Sequence, residues 1–264
     1  MTLYVVSAVV NNPVFIEIQY HTLCKYLECD YEFIIFNDAK DFPDFTNNND
    51  ITMRQQITDI CNKYNIKCIN IPNDHHKYIN VPSMRTSNSM NFILEFQKNN
   101  LGEYLLIDSD MFPVSKIDID KYRKYNSAVA LQLRGDFKYI WNGLYYMNFN
   151  KIKNIELLNW DMLDGCDTGA MTFRWFNEEI KEPDTILYLN WLSSNTWNKE
   201  NLPKYITNTK LIDFLEDNPR NIYGKYFCEL FDGCFLHYRA GGNWMQEGLK
   251  FHILLSNKLR DALL

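Results

Sequence analysis

Apolar runs of strand length alternate with segments of helical spacing over the first 110 residues, and that alternation admits few folds. Leu3 to Val10 (LYVVSAVV) is a valine-rich, largely apolar run of strand length. Asn11-Asn12-Pro13 ends it, with proline well placed to open a helix. Phe15 to Leu27 carries apolar residues at helical spacing, Phe15, Ile18, Leu23 and Leu27. Tyr31 to Phe36 reads as a second strand, Ile51 to Tyr64 as a helix and Lys67 to Ile71 as a third strand. Ser83 to Asn99 follows as a helix, with Met84, Met90, Ile93, Leu94 and Phe96 at its apolar positions. Tyr104 to Ile107 is a fourth strand. Such a β/α series predicts a parallel sheet covered by helices, with ligands at the carboxyl ends of its strands. The informative residues are therefore Ser7 to Asn12, Asn37-Asp38, Asn73 to His76 and Asp108 to Asp110.

The second half changes character. Ala128 to Leu133 and Trp141 to Asn148 predict strands, and Lys151 to Leu163 and Thr168 to Ile180 predict helices. Tyr188 to Trp197 is aromatic and fits either state. Phe235 to Tyr238 predicts a short strand and Met245 to Leu264 a terminal helix. Neither a repeat nor a linker rich in Gly, Pro or Ser divides the chain, so residues 1–264 read as one continuous domain.

A net charge of −6 argues against nucleic acid, whose binders gain affinity from basic surfaces. The seven cysteines are odd in number and lack C-x-x-C spacing, which predicts free thiols in a reducing compartment. Met1 to Val10 lacks the basic start and cleavage site of a signal peptide, and no apolar run is long enough to span a bilayer. The expectation is a soluble cytoplasmic protein, inside a host cell if the source is a virus.

Tyr-Leu-Leu-Ile-Asp-Ser-Asp-Met-Phe-Pro, residues 104–113, is the sharpest feature. A buried strand delivers Asp108 and Asp110 to the ligand end of the sheet, and alternation points them to one side. Two carboxylates there repel unless a cation sits between them, and a hard divalent ion on a diphosphate suits the site. Phe-Leu-His-Tyr-Arg-Ala-Gly-Gly-Asn-Trp, residues 235–244, adds His237 as a third metal ligand at a strand end. Gly241 and Gly242 would let backbone N–H groups approach phosphate oxygens. Asp164-Gly165-Cys166-Asp167-Thr168-Gly169 lies in the second half. Asp167 and Asp164 are candidate catalytic carboxylates, or Asp167 would simply cap a helix starting near Thr168. The adjacent pair His75-His76 cannot easily chelate one ion and reads as loop.

With these motifs in place, the sequence resembles the metal-dependent glycosyltransferases of the GT-A fold. Its parts are the strand–helix half, the strand into Asp108-Ser109-Asp110, the Trp141-Asn142-Gly143 strand and the late His237 before Gly-Gly-Asn-Trp. The resemblance implies an α/β fold with a nucleotide-sugar half at 1–113 and an acceptor half at 114–264 around one central mixed sheet. It implies transfer from a UDP- or GDP-sugar to a hydroxyl of a glycan, protein or small molecule, with Mn2+ or Mg2+ as cofactor. Asp108, Asp110 and His237 would hold the metal, Asp108 also facing the ribose. The Asn-Gly strand and His-Tyr tail are most reminiscent of the glycogenin-like retaining branch. That branch has a lysine where this chain has Asn243, so Asn243 or a nearby arginine, Arg239 or Arg85, would meet the diphosphate. The nucleotide would meet Ser7, Asn11 and Asp38 at the first strand ends, although Asp38 equally suits a capping role. Arg85, Asn88 and Ser89 at a helix start, with Ser109, Asn142, Gly241 and Gly242, complete the donor-site candidates.

Rival chemistries fit less well. A haloacid-dehalogenase-type phosphatase wants its D-x-D after the first strand, and a nucleotidyltransferase wants a Gly-rich basic loop there, whereas Val9-Val10-Asn11-Asn12-Pro13 has neither. A catalytically inactive sugar- or nucleotide-binding protein of the same fold is the non-enzymatic alternative.

Overall fold

Val5 and Val6 are both fully buried, yet they belong to different apolar cores, as neighbours in a strand covered on both faces must. Their strand, β1 (Leu3–Val9), lies between β2 (Tyr31–Asn37) and β4 (Glu103–Ile107), with β3 (Lys67–Asn70) outside β2. All of these pairings are parallel, as the sequence pattern requires. The computed structural model describes residues 2–182, 185–242 and 248–264. Helices α1 (Val14–Tyr26) and α2 (Met53–Lys63) cover one face through Ile16, Leu23 and Ile57. Helix α3 (Pro82–Asn99) covers the other through Met90, Ile93 and Leu94.

Beyond β4 the sheet continues in mixed sense. β7 (Phe137–Asn148) pairs antiparallel with β4, β6 (Ser127–Arg134) antiparallel with β7, and β8 (Ile186–Tyr188) parallel with β6. The result is a seven-stranded mixed sheet in the order β3-β2-β1-β4-β7-β6-β8. A second, four-stranded antiparallel sheet has the order β5-β11-β10-β9. It contains β5 (Met111–Pro113), β9 (Trp191–Leu192), β10 (Glu229–Phe231) and β11 (Phe235–His237). Short helices α4 (Ile119–Arg123), α5 (Phe173–Glu179) and α6 (Thr209–Glu216) and the C-terminal α7 (Leu249–Leu263) complete the chain. A third core joins the outer side of α1 to the small sheet, α6 and α7 through Phe15, Ile18, Phe112, Trp197, Leu211 and Leu259.

Some second-half expectations are corrected. Lys151 to Leu163 is not a helix but a loop with one 3-10 turn at Ile155–Leu157. Asn154 sits in the left-handed region (φ 50°), and Leu158 and Trp160 leave helical spacing to enter the core. Asn91 holds this loop, accepting from the Trp160 N–H at 2.9 Å and donating to Asp161 at 2.7 Å. Thr168 to Ile180 divides at a 3-10 turn, Ala170–Thr172, so that α5 begins only at Phe173. The C-terminal helix begins at Leu249, and the expected start at 245–247 lies outside the described residues.

Candidate active site

β4 ends at Ile107 and β5 begins at Met111, so Asp108-Ser109-Asp110 is the turn that passes the chain from the large sheet to the small one. Pairing of β5 with β11 sets Met111 opposite His237, and the Tyr238 N–H donates to the Asp110 carbonyl at 2.8 Å. Register thus brings the distant segment 235–242 onto the turn. Ligand-capable atoms of Asp108, Asp110 and His237 all lie within 4.8 Å of one another.

The next strand supplies a residue not singled out in the sequence. Glu229 stands directly opposite His237 in the β10–β11 ladder, and its Oε2 is 2.8 Å from His237 Nδ1. His237 Nε2 is 3.2 Å from Asp110 Oδ1. Burial alone would push the imidazole pKa down, but the carboxylates of Asp110 and Glu229 raise it to about 10. Burial favours a neutral Asp110, yet the His237 charge and hydrogen bond and the Gly241 N–H hold its carboxyl below the usual range. Asp108, partly buried, is pushed up to about 7 by burial and then by repulsion from Asp110. The protein alone therefore does not readily keep both aspartates ionised.

A divalent cation suits this donor set. Two carboxylates and an imidazole converge, and the imidazole has a carboxylate on its other nitrogen, the arrangement that orients histidine ligands. The scaffold around the set is fixed. Gln19 of α1 donates to the carbonyls of Asp108 (2.7 Å), Met111 (3.1 Å) and Ser109 (3.3 Å), clamping the turn. The Gly241 N–H donates to Asp110 Oδ2 at 2.7 Å. A Cβ at Gly241 would lie 2.9 Å from the Asp110 Cβ and 2.7 Å from the Phe15 ring, so glycine is needed for this approach. Before it, Arg239 (φ 68°) and Ala240 (φ 57°) hold left-handed backbone, a local strain of the kind found at functional sites.

The cluster opens into a cavity of about 350 Å³ at the carboxyl ends of the parallel strands. Asp38, Arg85, Ser89, Asp108, Ser109, Asp110, Asn142, Asp167, His237 and Gly242 line it. Trp141 also lines it, folded back over Gly143, where a Cβ would lie 2.3 Å from the indole. Asp38 is bound on both oxygens, by Lys40 and Asn73 (each 2.7 Å) and by Ser89 (2.7 Å). Arg85 is ion-paired with Asp44 and donates to the carbonyls of Ile79 (2.6 Å) and His76 (2.7 Å), which ties it to the wall.

Ser7, Asn11, Asn88, Asp164 and Gly241 do not line the cavity. Ser7 is buried within β1. Asn11 donates to the carbonyls of Thr46 (2.7 Å) and Gly242 (3.0 Å), closing the rim. Asn88 faces His75 at 3.1 Å, and Asp164 is exposed. The Gly241 N–H is taken by Asp110 as above, and Asn243 lies outside the described residues. Asp167 is exposed and does not cap α5, since the Ala170–Thr172 turn intervenes and its Oδ1 accepts from the Thr168 N–H at 2.8 Å. Gln19, Lys40 and Glu229 are the site-forming residues that sequence reasoning missed. Only Lys40, two residues after Asp38, left a local signal.

No helix among the described residues is long and apolar enough to cross a membrane, and all seven cysteines are free thiols. No protein-family model matches the chain, and no curated protein matches it. Among solved structures, the chain is similar to the galactosyltransferase LgtC in complex with donor and acceptor sugar analogs, with a TM-score of 0.42 and 10% sequence identity over 74% of each chain. No residue role is carried across from that likeness.

Proposed function

We propose that the chain is a metal-dependent glycosyltransferase with a GT-A-like fold, moving a sugar from a nucleotide-diphosphate donor such as a UDP- or GDP-sugar to an acceptor hydroxyl. The observation that carries this reading is the convergence of Asp108, Asp110 and His237 in the wall of a cavity at the carboxyl ends of four parallel strands. Mn2+ or Mg2+ held by these residues would neutralise charge on the departing diphosphate.

The chain's own groups then divide the work. Glu229 would keep the Nδ1–H of His237 when a cation binds, so that Nε2, which without the ion gives its proton to Asp110, would be free to coordinate. Gln19 and the Gly241 N–H fix the positions of the D-x-D carboxylates. Asp167 has an exposed carboxylate at the cavity wall. It takes the proton of the attacking hydroxyl in an inverting course, or faces the anomeric carbon in a retaining one. The late histidine and Asn-Gly strand favour the retaining, glycogenin-like pattern within this reading. Residues 1–113 form the donor half and 114–264 the acceptor half of one unit.

A thermal-shift screen of nucleoside diphosphates with and without Mn2+, followed by assay of donor hydrolysis, tests the proposal. Metal-dependent stabilisation by one base, with slow hydrolysis of its sugar conjugate, is the expected result. Stabilisation without turnover on any donor would indicate the inactive binding protein, and no stabilisation by any diphosphate would remove the nucleotide-sugar reading.

A further inference from the structure

A second cavity of about 250 Å³ adjoins the first and shares Trp141, Asp167 and His237 with it. The β6–β7 ladder breaks its register here, pairing Val129 with Tyr145 but Leu131 with Ile140, and Trp141 lies in the gap. Part of the cavity's lining is aromatic. Phe231 stacks between Trp141 (centroids 4.7 Å apart, planes 14°) and Trp191 (5.4 Å, 12°), and Trp191 remains 45% exposed. The cavity's polar lining is Gln132, Arg134 and Arg239 together with Asp167, Glu229 and His237.

Gln132 Oε1 is buried and has no hydrogen-bond partner among the described residues. An amide oxygen can only accept, so the group it lacks is a donor. The two guanidiniums can only donate; Arg239 gives one N–H to Ser194 Oγ (2.9 Å) and lies 3.9 Å from Glu229, and acceptors on a ligand would meet the remaining N–H groups. A ligand that donates and accepts from one compact body while offering an apolar C–H face to indole rings is a polyhydroxylated ring. The volume lies below the roughly 300 Å³ at which drug-sized pockets begin, which suits one ring and not a long glycan segment.

We propose that this second cavity binds the acceptor as a single pyranose ring, with Trp191 as its stacking platform and Gln132 as its hydroxyl acceptor. The acceptor role rests on the glycosyltransferase reading of the first cavity. Asp167, in the wall of both cavities, would then stand between donor and acceptor.

Saturation-transfer difference NMR of the full chain with methyl glycosides of glucose, galactose, mannose and N-acetylglucosamine tests this, with neither nucleotide nor metal present. Transfer to the ring protons of at least one glycoside is expected, with affinity weakened roughly tenfold in both Trp191→Ala and Gln132→Leu. Far-UV circular dichroism checks that both variants fold, as their partly exposed positions lead one to expect. Absence of transfer for every glycoside, or affinity unchanged in either folded variant, would overturn the proposal. Because no nucleotide is in the tube, failure here leaves the diphosphate screen untouched, and failure of that screen leaves a glycoside signal standing as a sugar site.

Discussion

Glu229 shows how much of the site hangs on a single cross-strand pair. Replacing it with Gln keeps the shape but removes the charge that orients His237. Mn2+ affinity, read from the metal dependence of nucleotide-induced stabilisation, should fall about 10- to 100-fold. Asp167→Asn makes a contrasting prediction. Its carboxylate accepts only the Thr168 N–H among the hydrogen bonds described, and an amide oxygen can replace that. Melting temperature should therefore hold while kcat falls by about two orders of magnitude or more, and near-wild-type transfer would move the role elsewhere. His76 contributes to acid stability. It is fully buried, and burial, followed by the positive charge of Lys40, lowers its pKa from 6.5 to about 4. The unfolded chain thus binds this proton more tightly, so the His76 contribution is present above pH 6.5 and is lost as pH falls towards 4. The loss is about 3 kcal/mol. Urea midpoints measured across that range should fall with acid in the wild type, and less in His76→Gln.

At the scale of elements, α1 is both a core helix and the clamp of the Asp108–Asp110 turn. Ile16 and Leu23 face the large sheet, Phe15 and Ile18 face the third core, and Gln19 reaches three carbonyls of the turn. Gln19→Leu would remove those hydrogen bonds, leaving the Asp108 carbonyl with the Met111 N–H, at a cost of about 1–3 kcal/mol, and urea unfolding should show it. Donor turnover should fall beyond what the lost stability explains, because the carboxylates lose their fixed aim. Excess leucine volume is not the cause if Gln19→Ala behaves alike. The same elements show what is legible in sequence. Asp108 and Asp110 can be read because β4 is a fully buried run ending at them, and His237 because it ends an apolar strand before two glycines. Glu229 cannot be read, since β10 has three residues and the role of this carboxylate exists only through its register with His237. Gln19 likewise looks like any polar position on an amphipathic helix. The loop at 151–163 misleads because its apolar residues serve a core through irregular backbone, which periodicity cannot distinguish from a helix.

For the whole molecule, the parallel half is predictable because each strand and helix buries its own apolar face locally. The second half depends on short strands whose partners are remote in sequence, and on the crossing from one sheet to the other at residues 108–110. That division sets the last prediction. Three apolar cores hold the fold, and the acidic cluster lies at their junction without being their support. A chelator should therefore leave the melting temperature of the nucleotide-free protein unchanged. Adding Mn2+ with the preferred nucleoside diphosphate at a hundred times its Kd should stabilise the fold by about 2.7 kcal/mol. For a chain of this size that is a rise of roughly 5–10 °C, and excess chelator should reverse it. Metal alone should give much less, because two carboxylates and one imidazole leave a hard cation short of its usual six or more ligands until phosphate oxygens join them. A large fall in melting temperature on chelation of the nucleotide-free protein would instead identify the ion as structural. The shared protein–metal–diphosphate site would then have to be abandoned.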